Sequence, residues 1–163
     1  MESNTKILNF MINEHGEMYN LLVGFRFQSS NVHDEIAAAK KFEKFKEKLQ
    51  PHHFAEENIV FPDFNKKEYV RMIRQLTQQH NFIEKKVKEV EKQISQKEDT
   101  FASSAKLEEM LREHIKFEEK SFYPKLDKAL TDKEKNDLIK QFTKVIEPNK
   151  SLFEKINKWL SKR

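Results

Sequence analysis

Histidine and glutamate recur in this chain at spacings suited to binding metal ions. His52 precedes Glu56 by four residues, and His114 precedes Glu118 by the same interval. On a helix, this spacing places both side chains on one face, one turn apart. Imidazole nitrogens and carboxylate oxygens are ligands that iron, manganese and zinc accept. The two pairs therefore indicate metal-binding chemistry.

Four of the six histidines lie in apolar stripes that step by threes and fours along the chain. They are His15, His52, His80 and His114. The first stripe, for example, runs Leu8, Met11, His15, Met18, Leu22, Phe25. Such a stripe takes about 2 positions in 7, so four independent hits by chance have a probability below about 1%. Each histidine is near the middle of its segment, which predicts that all four meet at one height.

Glu56 and Glu118 continue the stripes of the second and fourth segments. A buried carboxylate is costly unless it is paired or bound to a metal. Four imidazoles and two carboxylates cannot satisfy one another without a partner that accepts nitrogen lone pairs and neutralises negative charge. A pair of divalent or trivalent cations does both, as in bundle-core carboxylate sites.

Four long helices must position these residues, and the stripes predict them over about residues 5–28, 34–61, 66–96 and 100–130. Alternating threes and fours are typical of helices packed nearly parallel to one another. The fold class expected is all-α, an up-down-up-down antiparallel four-helix bundle with additional short C-terminal helices. The whole chain, 1–163, is expected to be a single domain, in which residues 1–130 form the bundle.

Pro51 interrupts the second segment and removes one helical hydrogen bond. The stripe keeps its phase from Leu49 to His52, which favours a kinked continuous helix. A break with a new helix starting at His52 is the alternative.

Residues 131–163 predict two short helices packed on the bundle. Thr131 with Glu134 and Ser151 with Glu154 form two capping-box patterns. Pro148 separates them.

Composition excludes several classes of protein. The chain of 163 residues has no Cys, two Gly and four Pro, too few for disulfides, cysteine metal sites or a turn-rich β fold. The net charge is +4, but 31 basic residues alternate with 27 acidic ones, which is typical of solvated helix faces rather than of nucleic-acid binding. No apolar run spans a membrane, and the N-terminus is unlike a secretory signal. The sequence predicts a cytoplasmic protein that binds neither nucleic acid nor membrane.

The second and fourth segments share the pattern H-x-x-x-E-E-x-x-x-[FY]-P, which begins at His52 and at His114. With a histidine in the first segment (Asn13-Glu14-His15) and one in the third (Gln79-His80-Asn81), the chain resembles the hemerythrin-like, HHE cation-binding domains over about residues 5–130. The resemblance implies a non-haem di-iron centre with two oxo- or hydroxo-bridged Fe ions and with Glu56 and Glu118 bridging. The implied ligands are His15, His52, Glu56, His80, His114 and Glu118.

The chain departs from the oxygen-carrying hemerythrins, which have a second histidine one turn on in the third helix. Here the residue four after His80 is Glu84. The resemblance is therefore to a four-His, two-Glu centre. Glu84 is a candidate extra ligand, with surface pairing to Lys88 as the alternative. His53 and His33 are expected to face solvent or to lie behind the ligands.

Glu57 and Glu119 follow the two bridging candidates directly. Each could accept a hydrogen bond from a ligand imidazole and fix its tautomer. Each could equally be a surface charge.

Three functions are consistent with such a centre. The first is binding of O₂, or another small diatomic or peroxide ligand, for storage, delivery or sensing. The second is an oxidoreductase acting on peroxide or nitric oxide, although no pattern marks a dedicated general acid or substrate pocket. The third is an iron-dependent regulatory module. The redox or protein partner is not specified by the residues.

Overall fold

The computed structural model describes residues 5–64, 66–147 and 150–163, with the side chains of residues 150–153 left aside. This part of the chain is helical and contains no strand, which confirms the all-α class. The helices are α1 Lys6–Phe27, α2 Glu35–Ala55, α3 Val70–Ser95, α4 Phe101–Phe117, α5 Tyr123–Ala129, α6 Asp132–Ile146 and α7 Lys150–Ser161. None of the described helices has both the length and the apolar character needed to cross a membrane.

Helices α1 to α4 form a ring in which each packs on its two neighbours. Two contacts define each interface. Glu14–Lys48 and Phe25–Phe42 join α1 to α2, and Lys46–Glu91 and Glu57–His80 join α2 and its π-helical extension to α3. Gln79–His114 and Gln93–Ser103 join α3 to α4, and His15–Glu119 and Arg26–Glu108 join α1 to α4 and its extension. Within every interface, residue numbers rise on one side as they fall on the other. Neighbouring helices of the ring therefore run antiparallel.

The apolar core is divided into two clusters, one toward each end of the ring. One cluster contains Ile7, Met11, Ala55, Leu76 and Phe122, and the other contains Met18, Leu22, Leu49, Ile83 and Leu111. On each long helix the stripe histidine falls between residues of the two clusters. The helices thus hold a polar layer with apolar packing on both sides of it.

Short π-helical segments follow three of the long helices, and the sequence did not predict them. They are Gln28–Val32, Glu56–Val60 and Glu118–Phe122. The last two begin at the repeat glutamates and end two residues before Pro62 and Pro124, with the single turn Phe61–Asp63 or α5 following. Proline removes a donor and crowds the carbonyl four residues earlier. A wider turn relieves that crowding, and such turns often occur at functional sites.

Helix α2 continues from Glu35 through Pro51 to Ala55, so the alternative of a new helix starting at His52 is wrong. Asp34 caps the start of α2, since its side chain accepts a hydrogen bond from the backbone N–H of Ala37 at 3.0 Å. The residues on either side of Pro51 therefore belong to one element.

Helices α6 and α7 contact the ring. The predicted capping box between Thr131 and Glu134 is present at the start of α6, which packs on α1 and α2. Helix α7 contacts α2. Pro148 and the side chain of Ser151 lie outside the described residues, so the second capping box stays a prediction.

Asp127 ties α5 and α6 to the first turn of α1. Its carboxylate accepts hydrogen bonds from the backbone N–H groups of Ile7 at 2.9 Å and Leu8 at 2.8 Å. The Lys135 ammonium lies 3.7 Å from the same carboxylate, and both side chains are almost fully buried. A carboxylate at this position satisfies donors that have no partner within α1 and complements the helix dipole.

We expect Asp127→Ala to lower the free energy of unfolding by about 3 kcal/mol, because it removes the acceptor of two backbone N–H groups and a carboxylate that lies beside a buried ammonium. Urea unfolding of the metal-free protein measures the change. Asp63→Ala, at an exposed position, is the control and should stay within about 0.5 kcal/mol of wild type. A loss below about 1 kcal/mol in the Asp127 variant would contradict this account.

Candidate metal centre

The structure brings together all six residues that the resemblance implied as ligands. Each side chain is at most 2% exposed, although all six are polar: His15, His52, Glu56, His80, His114 and Glu118. Four different helices, with their wide turns, supply them at one level of the ring. The polar stripe positions therefore converge between the two apolar clusters.

Two groups of side chains have their ligand atoms within 4.8 Å of one another. One group is His15, His52, Glu56 and Glu118, and the other is His53, Glu56, His80 and His114. Because Glu56 belongs to both, the groups are adjacent. Each offers the nitrogen and oxygen donors that a transition-metal cation accepts.

The two carboxylates span the space between the imidazoles. Glu118 places Oε2 at 3.0 Å from His15 Nε2 and Oε1 at 3.3 Å from His114 Nε2. Glu56 places Oε1 at 3.2 Å from His52 Nε2 and Oε2 at 3.0 Å from His80 Nε2. Each carboxylate thus faces one imidazole from each group.

These close approaches are not hydrogen bonds. The Nε2 atoms of His15, His52, His80 and His114 are buried without a hydrogen-bond partner, as are both oxygens of Glu118 and Oε2 of Glu56. Unpaired buried polar atoms are costly. Nitrogen and oxygen atoms that converge without bonding to each other fit a cation lying between them, so the residues present fit a metal centre.

Three of the imidazoles form a hydrogen bond through Nδ1, the ring nitrogen that faces away from the centre. The pairs are His15 Nδ1 to Glu119 Oε1 at 2.9 Å, His80 Nδ1 to Glu57 Oε1 at 2.8 Å, and His114 Nδ1 to Gln79 Oε1 at 2.9 Å. Since the acceptors are carboxylate or amide oxygens, Nδ1 donates, and in the neutral ring Nε2 is left with a lone pair facing the centre. The hydrogen-bonding role predicted for Glu57 and Glu119 is confirmed. Gln79 was not anticipated.

His53 is a fifth imidazole at the centre. It was expected either to face solvent or to lie behind the ligands; the first alternative is wrong, and its ring lies in one of the two groups of ligand atoms. It is fully buried, its ring stacks on His80 with 3.9 Å between centroids, and it lies 5.5 Å from His114. The internal repeat did not indicate His53 as a ligand, because the matching position in the fourth segment is Ile115. The paired histidines on α2 were the available signal, since adjacent helical residues face two neighbouring helices. His33 is exposed.

Glu84 belongs to neither group of converging ligand atoms. Its carboxylate is 3% exposed, so the alternative of a surface pairing with Lys88 is wrong. Its Oε1 lies 3.4 Å from His53 Nδ1. Glu84 therefore lies behind the fifth imidazole.

Two residues outside the implied set also reach the centre. The buried Tyr123 hydroxyl donates to Glu56 Oε1 at 2.5 Å, and the sequence had not placed this tyrosine. The Arg163 guanidinium donates to Glu57 Oε1 and lies over the Trp159 ring, 4.1 Å from its centroid. Helix α7 and the residues after it thereby contact the partner of His80.

The two buried carboxylates differ electrostatically. Burial by itself would raise the pKa of Glu56, but the neighbouring imidazoles, His52 foremost, outweigh it and hold that pKa well below its usual range. Burial and the negative charge of Glu56 together raise the pKa of Glu118 well above its usual range. Without a cation, Glu118 therefore takes up a proton at a higher pH than Glu56 does.

The imidazoles also differ. Burial, followed by the positive charge of His80, lowers the pKa of His53 and of His114 well below the ordinary value. Burial opposes protonation of His80 as well, but the neighbouring Glu56 and Glu57 carboxylates outweigh it and raise its pKa to about 9. His80 with Glu56 is thus the ion pair of the metal-free centre.

Residues 6–126 match the family model described as the Hemerythrin HHE cation binding domain. The match extends from the first turn of α1 into α5 and contains every residue of the two groups. No curated protein and no solved structure matches the chain significantly.

We expect the metal-free protein to lose stability as the pH falls from 7 to 5. For His53 the folded pKa is depressed below about 6.5. The unfolded chain therefore binds more protons below that pH, and stability is lost at about 1.4 kcal/mol per pH unit. In His53→Leu this contribution is removed, so the slope of unfolding free energy against pH should become shallower by about that amount.

Urea unfolding at several pH values measures both slopes. The opposite contribution of Glu118, whose folded pKa is raised, is present in both proteins and cancels in the comparison. His33→Gln, at an exposed position, should leave the slope unchanged. Equal slopes for wild type and His53→Leu would show that His53 takes up protons freely in the folded protein.

Proposed function

The chain belongs to the hemerythrin HHE cation-binding family, and we propose that it is a non-haem di-iron protein that binds O₂ for storage, delivery or sensing. One observation carries the proposal. Each of the two buried carboxylates, Glu56 and Glu118, faces an imidazole from both groups of ligand atoms. A carboxylate in that position is suited to bridging two cations.

The proposed ligand set has five histidines and two glutamates, one histidine more than the resemblance implied. One ion is assigned to His53, His80 and His114, and the other to His15 and His52, with Glu56 and Glu118 shared between them. The residue His53 takes the place of the third-helix histidine that oxygen carriers have where this chain has Glu84. The proposal therefore restores a five-imidazole centre from a different helix.

The donor set is consistent with iron and also with manganese or zinc. Iron is proposed because the family resemblance implies it. When bound, a pair of iron ions supplies the redox capacity that reversible binding of O₂ requires.

The chain itself supplies orientation and exclusion of water. Glu119, Glu57 and Gln79 hold three imidazoles so that Nε2 faces the centre. The two apolar clusters close the polar layer from both ends of the ring. On the side of α6, the Phe142 ring packs edge-on against His52, with centroids 5.3 Å apart. A small neutral ligand would thus be held in a dry, preorganised site.

We expect Glu118→Ala to reduce metal loading from two ions per chain toward one, because one of the two shared carboxylates is lost. Elemental analysis of the desalted protein, normalised to protein concentration, measures the ratio. The exposed Glu109 lies on α4, the helix directly before the segment that begins at Glu118, so Glu109→Ala is the matched control and should still hold two ions. Two ions per chain in Glu118→Ala would contradict the assignment of this residue.

O₂ binding itself is tested by rapid mixing of the reduced, iron-loaded protein with O₂. We expect a visible absorption band that requires both iron and O₂, decays slowly, and disappears when O₂ is removed. His33→Gln should behave as wild type, because His33 is remote from the centre. Immediate oxidation without an O₂-dependent band would argue against O₂ binding, and peroxide consumption abolished by Glu56→Ala would favour an oxidoreductase.

A further inference from the structure

The internal repeat gives the metal centre an approximate twofold symmetry. The pair His15–Glu118 and the pair His80–Glu56 both have Nε2 to oxygen distances of 3.0 Å. The outer contacts match as well, at 2.9 Å for His15–Glu119 and 2.8 Å for His80–Glu57. Glu56 and Glu118 are thus equivalent in backbone position and in imidazole neighbours.

The symmetry is broken at the aromatic residue that precedes each repeat proline. Tyr123 occupies this position in one half and Phe61 in the other. Both rings are next to an imidazole, since the Tyr123 centroid is 6.5 Å from that of His15 and the Phe61 centroid is 5.8 Å from that of His80. The two aromatic side chains therefore pack similarly and differ by one hydroxyl group.

That hydroxyl reaches only one of the two carboxylates. Tyr123 Oη donates to Glu56 Oε1 at 2.5 Å, and both side chains are fully buried. Both oxygens of Glu118 are without a hydrogen-bond partner among the described residues. A short hydrogen bond from a hydroxyl to a carboxylate is stronger than one between neutral groups, so two otherwise equivalent carboxylates differ in how firmly they are held.

Glu57 and Glu119, which follow the two carboxylates in sequence, also differ in how many partners hold them. Glu57 is held by the Arg163 guanidinium in addition to His80. Its counterpart Glu119 is 27% exposed, and no Lys or Arg of the described chain forms an ion pair with it. Glu57, which follows Glu56, is therefore held by two partners, whereas Glu119, which follows Glu118, is held by His15 without a basic residue beside it in the described chain.

From these contacts we propose that Tyr123 is a positioning residue that fixes Glu56 as the permanent shared carboxylate and leaves Glu118 as the one that moves. The inference rests on the proposed function, because a mobile shared carboxylate lets the coordination of two ions change without loss of either. Packing does not require the hydroxyl, since phenylalanine fills the equivalent place at position 61. A buried tyrosine hydroxyl needs a polar partner, and here that partner is Glu56.

The repeat supplies matched variants for a test in the full chain. Tyr123→Phe removes the hydroxyl, Phe61→Tyr adds one where the symmetry predicts that it faces Glu118, and the double variant exchanges the two. The first measurement is the rate of zinc release from the Zn²⁺-loaded proteins to excess chelator. We expect release about tenfold faster from Tyr123→Phe, which corresponds to about 1.4 kcal/mol, and a return to within about threefold of wild type in the double variant.

The second measurement is carbon-13 relaxation of the glutamate carboxyl groups, assigned with Glu→Gln variants, in both metal-free and Zn²⁺-loaded protein. We expect Glu56 to be more ordered than Glu118 in wild type and to lose that order in Tyr123→Phe. A purely structural role for Tyr123 would lower the melting temperature of the metal-free protein without changing this difference.

The outcomes separate the inference from the proposed function. Equal order of Glu56 and Glu118 in the wild type, or wild-type zinc release from Tyr123→Phe, would overturn the role given to Tyr123. If the wild type fails to take up two ions, the proposed di-metal function fails. In that case the carboxyl measurement on the metal-free protein still decides whether the Tyr123 hydroxyl orders Glu56.

Discussion

Two carboxylates buried between five imidazoles are the constraint on which the rest of this structure depends. Glu56 and Glu118 lie at the level where four helices meet, with their oxygens 3.0 to 3.3 Å from imidazole nitrogens and without hydrogen bonds to them. Such a layer is unfavourable by itself, because desolvated charge and unpaired polar atoms both cost free energy. A cation between the groups removes both costs, which couples metal binding to the stability of the fold.

The remaining structure serves to keep that layer in place. Two apolar clusters enclose it, and three acceptors behind the imidazoles turn one nitrogen of each toward the centre. The π-helical segments start at the two glutamates and end ahead of the repeat prolines. These prolines therefore influence the backbone at the metal centre as well as the turn that follows it.

The internal repeat explains both the regularity of the centre and its inequality. Two copies of one pattern place equivalent His and Glu side chains around an approximate twofold axis. Single-residue differences between the copies, Tyr123 against Phe61 and His53 against Ile115, then give the two halves different hydrogen bonds and different numbers of imidazoles. Chemical asymmetry is thereby obtained on a nearly symmetric backbone.

The sequence by itself determined the helical class, the approximate limits of the long helices and the six residues of the polar layer, because a 3-4 stripe fixes which face of a helix is buried. Only the tertiary structure showed that His53 is buried against His80, that Glu84 lies behind it, and that Gln79 holds His114. These contacts join residues on different helices. How far each helix is rotated about its own axis is set by its packing against the neighbouring helices, and the periodicity of one segment does not specify it.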